Sequence, residues 1–228
     1  MNPFDSFHPS SGPIPFHVGI IPDGGRRWAK VHGCTLQEAY IYTTSLLFQI
    51  AGFLYEKEVK EISIYLSSTD NFKRTADEMA ANLGVVEAAL RKEISSLANK
   101  RNIAVKITGD HRFFPPSLSA AVISIEKSTL NNTGGRLNLL IAYNPLDEII
   151  QALKTTDVPE RLFRNLMVST PVDVVFRSGG ARVMSNFLPL QSAFARLCFF
   201  DLLFNDLTIR DFEEALADFA ATERKFGE

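Results

Sequence analysis

The sequence predicts a single α/β domain, a central and mostly parallel β-sheet flanked by helices. Three observations predict it. Five short apolar runs of strand length recur along the 228 residues, segments with helical apolar spacing lie between them, and a polar cluster follows each run. Strands alternating with helices form βαβ units, whose parallel sheet is covered on both faces. In such sheets ligands bind beyond the carboxyl ends of the strands, so the polar clusters mark the rim where chemistry is expected.

The elements follow in order. Residues 1–16, rich in proline and serine, have neither the basic head nor the apolar stretch of a signal peptide and read as a loose lead-in. The domain then runs from 17 to 228. Its first strand, Val18 to Ile21, ends at Pro22-Asp23-Gly24-Gly25, where the chain turns into a helix. Leu36, Tyr40, Thr43, Leu47, Ile50 and Leu54 recur every three or four residues and predict a core helix; Gln37, Glu38 and Gln49 interrupt it too often for a membrane span. Glu61 to Leu66 is the second strand, leading into Ser67 to Arg74. Thr75 with Glu78 matches a capping box opening a helix toward Leu97. Ile103 to Thr108 is the third strand, before Gly109-Asp110-His111, and Pro116 to Leu130 the next helix. The fourth strand, Leu137 to Ala142, precedes Tyr143-Asn144-Pro145, and the fifth, Val172 to Phe176, precedes Arg177 to Ser185. A Thr208 cap starts the last helix through Ile209, Phe212, Leu216 and Phe219.

Composition excludes several functions. The net charge is -2 and no Lys/Arg block stands out, which argues against a nucleic-acid partner. Cys34 and Cys198 lack CxxC or Cys/His spacing, which excludes a sequence-evident zinc site and fits a reducing cytoplasm. His17, His32 and His111 have no ligand spacing. Asp77/Glu78 and Glu213/Glu214 suit first-turn helix positions better than acid/base catalysis. The 18 phenylalanines fit either a core or a pocket for an oily substrate.

Two glycine clusters carry the chemical signal. Asp-Gly alone reads as a turn, but Arg26 and Arg27 add a second meaning. Backbone amides freed by Gly24 and Gly25, a helix dipole and a guanidinium fork make a phosphate cradle, and Asp23 could hold a divalent cation that neutralises the anion. No GxxxxGK[ST] and no strand-following GxGxxG is present. Arg177-Ser178-Gly179-Gly180-Ala181-Arg182 is either a glycine turn with a surface arginine or a nest for another phosphate. Asn71 and Arg74 extend the polar reach, while Ser68, Thr69 and Asp70 equally suit a turn or cap. Two anion sites beside an apolar interior point to two phosphorylated lipids brought together.

At these residues the sequence resembles the cis-prenyltransferase family, which includes undecaprenyl diphosphate synthase. The stretches that carry the resemblance are HVGIIPDGGRRWAK, YLSSTDNFKR, ITGD, PVDVVFRSGGARVMSNFLPLQSAFARL and the closing ERKFG. The resemblance implies a parallel sheet and helices around a hydrophobic tunnel, usually in a homodimer. It implies Mg2+ on Asp23; Gly24, Arg27 and Arg74 holding the allylic diphosphate; and Arg177 with Ser185 holding the second. Asn71 would sit near the reacting carbons and Phe72 would replace an active-site tryptophan. Gly25, Arg26, Ser68, Gly179, Gly180 and Arg182 complete the expected substrate contacts.

Departures from the usual pattern are informative. Gly25 stands where the family has asparagine, Arg26 where it has glycine, and Leu36 and Tyr40 where it has arginine and histidine. Arg196 replaces a glutamate that binds magnesium across the dimer, Ala181 another glutamate, and Val183 falls where an arginine is expected unless Arg182 substitutes. Pro22, Arg26-Arg27-Trp28, Gly179-Gly180-Ala181 and Met184-Ser185 are similar to an irregular branch, the lavandulyl, cyclolavandulyl and isosesquilavandulyl diphosphate synthases. That branch joins two allylic diphosphates head-to-middle. The implied function is condensation of short prenyl diphosphates (dimethylallyl, geranyl) to a lavandulyl-type product; the alternatives are a cyclase acting on one prenyl diphosphate and a non-catalytic partner subunit. Leu47, Phe48 and Phe53 on the first long helix favour a short product.

Overall fold

The computed structural model describes residues 12–156 and 159–222. The ERKFG ending and most of the lead-in lie outside the described residues. Of the lead-in, Phe16 is tied to the domain: its amide donates to Asp173 Oδ2 at 2.7 Å and its carbonyl accepts from the amides of Lys60 and Glu61.

Six strands form one sheet: β1 (His17–Ile21), β2 (Glu61–Tyr65), β3 (Ile103–Thr108), β4 (Gly135–Leu140), β5 (Val174–Arg177) and β6 (Arg196–Phe199). Their order is β3-β4-β2-β1-β5-β6 and every neighbouring pair is parallel. The five predicted strands are all present, β3 with its predicted bounds and the others with ends shifted by at most two residues. The sixth escaped prediction because it lies at the sheet edge: Arg-Leu-Cys-Phe is only partly buried, so it carries no continuous apolar run.

Eight helices connect or flank the strands among the described residues: α1 (Gly25–His32), α2 (Leu36–Glu56), α3 (Ala76–Ala89), α4 (Ser95–Arg101), α5 (Pro116–Thr129), α6 (Pro145–Leu153), α7 (Pro159–Asn165) and α8 (Ile209–Ala221). A π turn, Leu90–Ile94, joins α3 to α4. The reciprocal capping box sits at Thr35/Glu38, opening α2: Thr35 N donates to Glu38 Oε2 at 2.8 Å, and Glu38 N to Thr35 Oγ1 at 3.2 Å. The box expected at Thr75/Glu78 is one-sided. Thr75 Oγ1 accepts from Glu78 N, but the Glu78 carboxylate turns to Arg74 and Arg26, because two cations outbid one amide. Glu213 and Glu214 lie in the second turn of α8 and pair with Lys57 and Arg210, which corrects their first-turn assignment. Helices α6 and α7 were not predicted. Asn144 caps α6 through Leu146 N, so the tripeptide read as a turn is a helix start.

The pleat sorts the strands into two faces. Val18, Ile20, Ile62, Ile64, Val105, Ile107, Val174 and Phe176 face the main core with α2, α3, α5 and α8. Ile21, Tyr65, Leu140 and Val175 face a smaller cluster with Phe187 and Leu188. Gly19 makes room there: a Cβ on it would meet Phe187 Cε1 at 2.5 Å. The start of this second face is polar. His17 Nε2 and Ser63 Oγ are 2.8 Å apart, and Asn138 Nδ2 donates to Ser63 Oγ and Glu61 Oε1. Burial pushes the His17 imidazole below its ordinary value, with Glu61 opposing. Among the described residues no helix is long and apolar enough to cross a membrane.

Candidate active site

The parallel register brings the carboxyl ends of the central strands to one rim, with Ile21 opposite Arg177. Beyond β1 the chain reverses at Gly24, whose φ of 114° is left-handed. Any side chain here would also meet Leu203 Cδ2 at 2.8 Å, so only glycine turns the strand into α1 at this point. The turn aims the free amides of the first turn of α1 at the rim. Trp28 pins α1 from outside, its indole donating to Asp206 Oδ1 at 2.8 Å.

Asp23 is fixed between the two glycine clusters. Its amide donates to Ser178 Oγ, whose hydroxyl donates back to the Asp23 carbonyl, both at 2.9 Å. Its Oδ2 accepts from Arg177 Nη2 at 3.0 Å, and its Oδ1 lies 3.4 Å from Arg27 Nη2. Arg27 also donates to the Gly179 carbonyl at 3.0 Å. Gly179 adopts φ 83°, and a Cβ there would lie 2.5 Å from Arg27 Nη2. Arg177 is buried, its side chain only 7% exposed. It donates to the Val183 carbonyl at 2.7 Å and to Ser185 Oγ at 2.8 Å, while its Nε has no protein partner.

A cavity of about 590 Å3 opens at this rim. It gathers Asp23, Gly24, Gly25, Arg26, Arg27, Ser68, Asn71, Arg74, Arg177 and Ser185, most of the residues singled out in the sequence. Arg26, Arg27, Lys30, Arg74 and Arg177 line it with one lining carboxylate, Asp23, and with Glu78 behind Arg26 and Arg74, so the hollow is net cationic and can take an anion. Asn71 also accepts from Ser68 N at 3.0 Å, which ties the loop after β2 to itself. Arg74 donates to Glu78 Oε1 at 3.0 Å, and Arg26 Nε lies 3.6 Å from the same oxygen.

Four predicted residues stand outside the lining. Phe72 packs against Phe113, ring centroids 4.4 Å apart. Gly179 and Gly180 shape the wall behind Arg27. Arg182 turns outward to Asp201 at 2.6 Å and lies over the Phe199 ring. Arg196 points away as well, donating to the Asp218 carbonyl at 3.0 Å and pairing with the Asp218 carboxylate and Thr222 on the last turn of α8. The sequence reading missed Lys30, Tyr65 and Asn82 as lining residues. Lys30 was findable, one helical turn after Arg26; Asn82 was not, since nothing in the spacing of the polar residues of α3 sets it apart from Asp77, Glu78 and Glu87.

Behind the polar cavity lies a cleft of only about 60 Å3 between α2 and α3. It shares Pro22, Gly25, Tyr40, Leu66 and Asn82 with the cavity and is closed by Leu47, Val85 and Val86. Leu47 therefore faces this space, whereas Phe48 and Phe53 pack against the main core. The implied tunnel is short.

Comparison with known proteins agrees with this geometry. The Prenyltransf family model, that of undecaprenyl diphosphate synthases, matches residues 21–227. A (2E,6E)-farnesyl-diphosphate-specific ditrans,polycis-undecaprenyl-diphosphate synthase of Buchnera aphidicola is 34% identical, over 92% of this chain and 90% of its own length. A geranylgeranyl-diphosphate-specific tritrans,polycis synthase of Pyrococcus horikoshii is 29% identical over 95% of this chain and 88% of its own. Among solved structures, lavandulyl diphosphate synthase from Lavandula x intermedia, in complex with dimethylallyl diphosphate, superposes with a TM-score of 0.89 at 28% identity, covering 95% of this chain and 99% of that one. A probable undecaprenyl diphosphate synthase from Campylobacter jejuni superposes with a TM-score of 0.77 at 28% identity, covering 93% and 98%. A parallel α/β sheet whose rim gathers arginines around one aspartate, and these relatives over nearly the whole chain, place the protein in the cis-prenyltransferase family and make it a prenyltransferase.

Proposed function

We propose that this prenyltransferase joins two short allylic diphosphates, dimethylallyl diphosphate first among them, head-to-middle into a lavandulyl-type diphosphate. The observation that carries this reading is the pairing of a strongly cationic cavity with a cleft of about 60 Å3. That space holds only a few waters, far less than a growing polyprenyl chain needs. The high similarity to the lavandulyl diphosphate synthase structure supports the same branch.

In this reading Arg27, Arg74 and the amides after Gly24 hold the diphosphate that leaves. Preorganised positive charge at the leaving group stabilises the charge that develops as the carbon–oxygen bond breaks. Arg177 and Ser185 hold the second diphosphate, so that its double bond attacks the cationic carbon, with positioning replacing an encounter in solution; the cation formed on the second substrate then loses a proton to the released diphosphate. Asn71 orients the reacting end, and Tyr65, whose hydroxyl donates to the Ser185 carbonyl at 3.2 Å, fixes the loop that carries Ser185.

The residues fit a magnesium ion. Among the described residues no three His, Cys, Asp or Glu side chains cluster as a ligand cage, but magnesium commonly takes one or two carboxylates together with substrate phosphates. Asp23 is that carboxylate, and the ion would supply charge neutralisation at the leaving group. With Arg196 turned onto α8, no second ligand comes from that position of this chain. A homodimer would cover apolar groups now exposed around β6, Phe194 and Leu197 among them.

Product analysis by mass spectrometry tests the proposal. Dimethylallyl diphosphate with Mg2+ should yield a C10 diphosphate without isopentenyl diphosphate, with a branched skeleton by nuclear magnetic resonance. Turnover only when isopentenyl diphosphate is present, or consumption of one substrate molecule per product, would refute it.

A further inference from the structure

Three buried side-chain atoms around the cavity have no protein hydrogen-bond partner: Arg177 Nε, the Tyr40 hydroxyl and Asn82 Oδ1. Arg177 belongs to the anion site. Tyr40, on α2, and Asn82, on α3, line both this cavity and the cleft behind it, with Tyr40 close to Glu78, Arg74 and Arg26. They mark the passage from one to the other. The Tyr40 ring lies beside the start of α1, its Cε1 3.5 Å from where a Cβ on Gly25 would lie.

Buried polar groups are almost always paired, with protein or with ordered water. A buried water needs a cavity of about 10–15 Å3 or more and two to four polar partners. The cleft offers about 60 Å3 and two oxygens, the phenolic one and that of the amide, able to accept from one water. Burial and the nearby Glu78 carboxylate, toward which the hydroxyl can donate, push the Tyr40 phenol above its ordinary value, so the hydroxyl keeps its proton and its oxygen stays open to the water. Past this pair the cleft is lined by Leu47, Val85 and Val86 together with Thr43 and Thr44, and the Thr43 hydroxyl is already paired with the Ala39 carbonyl and Asn205.

We propose that Tyr40 and Asn82 form a hydrated polar collar that limits the prenyl tail to one isoprene unit. The proposal rests on the reading of the cavity as a prenyl diphosphate site. A five-carbon tail stops at the collar, beside Leu66. A ten-carbon tail must pass it, displacing the water and leaving the two oxygens unpaired against an apolar tail. Each pairing lost without replacement weakens binding about 5- to 100-fold. Removing the polar atoms should remove that penalty, since replacing both partners by apolar groups of similar shape is nearly neutral.

Calorimetric titration with the unreactive thiolodiphosphate analogues of dimethylallyl and geranyl diphosphate tests this. Wild type should bind the dimethylallyl analogue at least about tenfold more tightly than the geranyl analogue. Tyr40→Phe with Asn82→Leu should raise geranyl affinity about tenfold or more and bring the ratio near one, while Asn82→Asp, which keeps the collar polar, should preserve the preference. If the double variant does not fold, Tyr40→Phe alone should still shift the ratio severalfold. An unchanged ratio in a folded variant, or equal wild-type affinity for the two analogues, would overturn the collar. Binding of neither analogue by wild type would overturn the prenyl diphosphate reading itself, and the collar with it.

Discussion

Replacing Asp23 by asparagine separates the chemistry of the site from its architecture. Asparagine keeps the size of the side chain and one oxygen toward Arg177, but removes the charge that faces Arg177 Nη2 at 3.0 Å and Arg27 Nη2 at 3.4 Å. Breaking a fully buried ion pair costs about 3–5 kcal/mol, and an exposed pair is worth about 0–1 kcal/mol. Here Arg177 is 7% exposed and Asp23 37% exposed, and the amide still accepts a hydrogen bond. The loss should therefore be about 1–2 kcal/mol, or about 2–8 °C in Tm for a chain of this length. Activity should fall much further. Losing one preorganised charged contact at the reacting centre costs about 10²- to 10³-fold in kcat, and magnesium stimulation should vanish with its carboxylate. Steady-state assays with dimethylallyl diphosphate across a magnesium series, beside calorimetric melts, read both quantities. A variant that melts as expected yet keeps kcat within about threefold of wild type would refute the role given to Asp23.

Three further perturbations probe separate parts of the account. Gly179→Ala, at φ 83° with Arg27 Nη2 2.5 Å from the new Cβ, should cost about 1–3 kcal/mol in strain and raise KM by displacing Arg27; an unchanged melt and KM would show that the glycine is incidental. Arg196→Ala should leave kcat within about twofold and lower stability by no more than about 1 kcal/mol, because Arg196 serves Asp218 and Thr222; a large fall in kcat would return it to the active site. His17, buried beside Ser63 with its proton affinity lowered by burial, binds fewer protons folded than unfolded. Stability is thus fully present above the unfolded imidazole value of about 6.5 and falls as pH drops below it toward the folded value, by at most about 1.4 kcal/mol per pH unit. Melts from pH 7.5 to 5 should show this slope and His17→Gln should flatten it; an identical slope in the variant would exclude His17 as its source.

The sequence made the rim legible because its chemistry is local. Asp23, Gly24 and Arg27 lie within five residues, and Arg177 with Ser185 in one segment, so strand-then-polar-cluster spacing placed them before any geometry was known. The sheet order followed from βαβ logic only as far as parallel pairing. Strand β6 was hidden because an edge strand needs no apolar run. Other features depend on side-chain choices between alternatives that spacing cannot rank. Glu78 could close the cap at Thr75 or bind two arginines, and binds the arginines; Arg182 and Arg196 could face the cavity, and turn to Asp201 and Asp218. Tyr40 and Asn82 line one cleft from two helices separated by a strand, and no periodicity signals that juxtaposition.

The central claim is that one rim holds two diphosphate headgroups at once. Titration of the wild-type protein with the dimethylallyl thiolodiphosphate analogue in the presence of Mg2+ counts them directly. The account predicts two equivalents bound per chain, falling to one when Arg177 is replaced by alanine in a folded variant. A single equivalent in the wild type would contradict it.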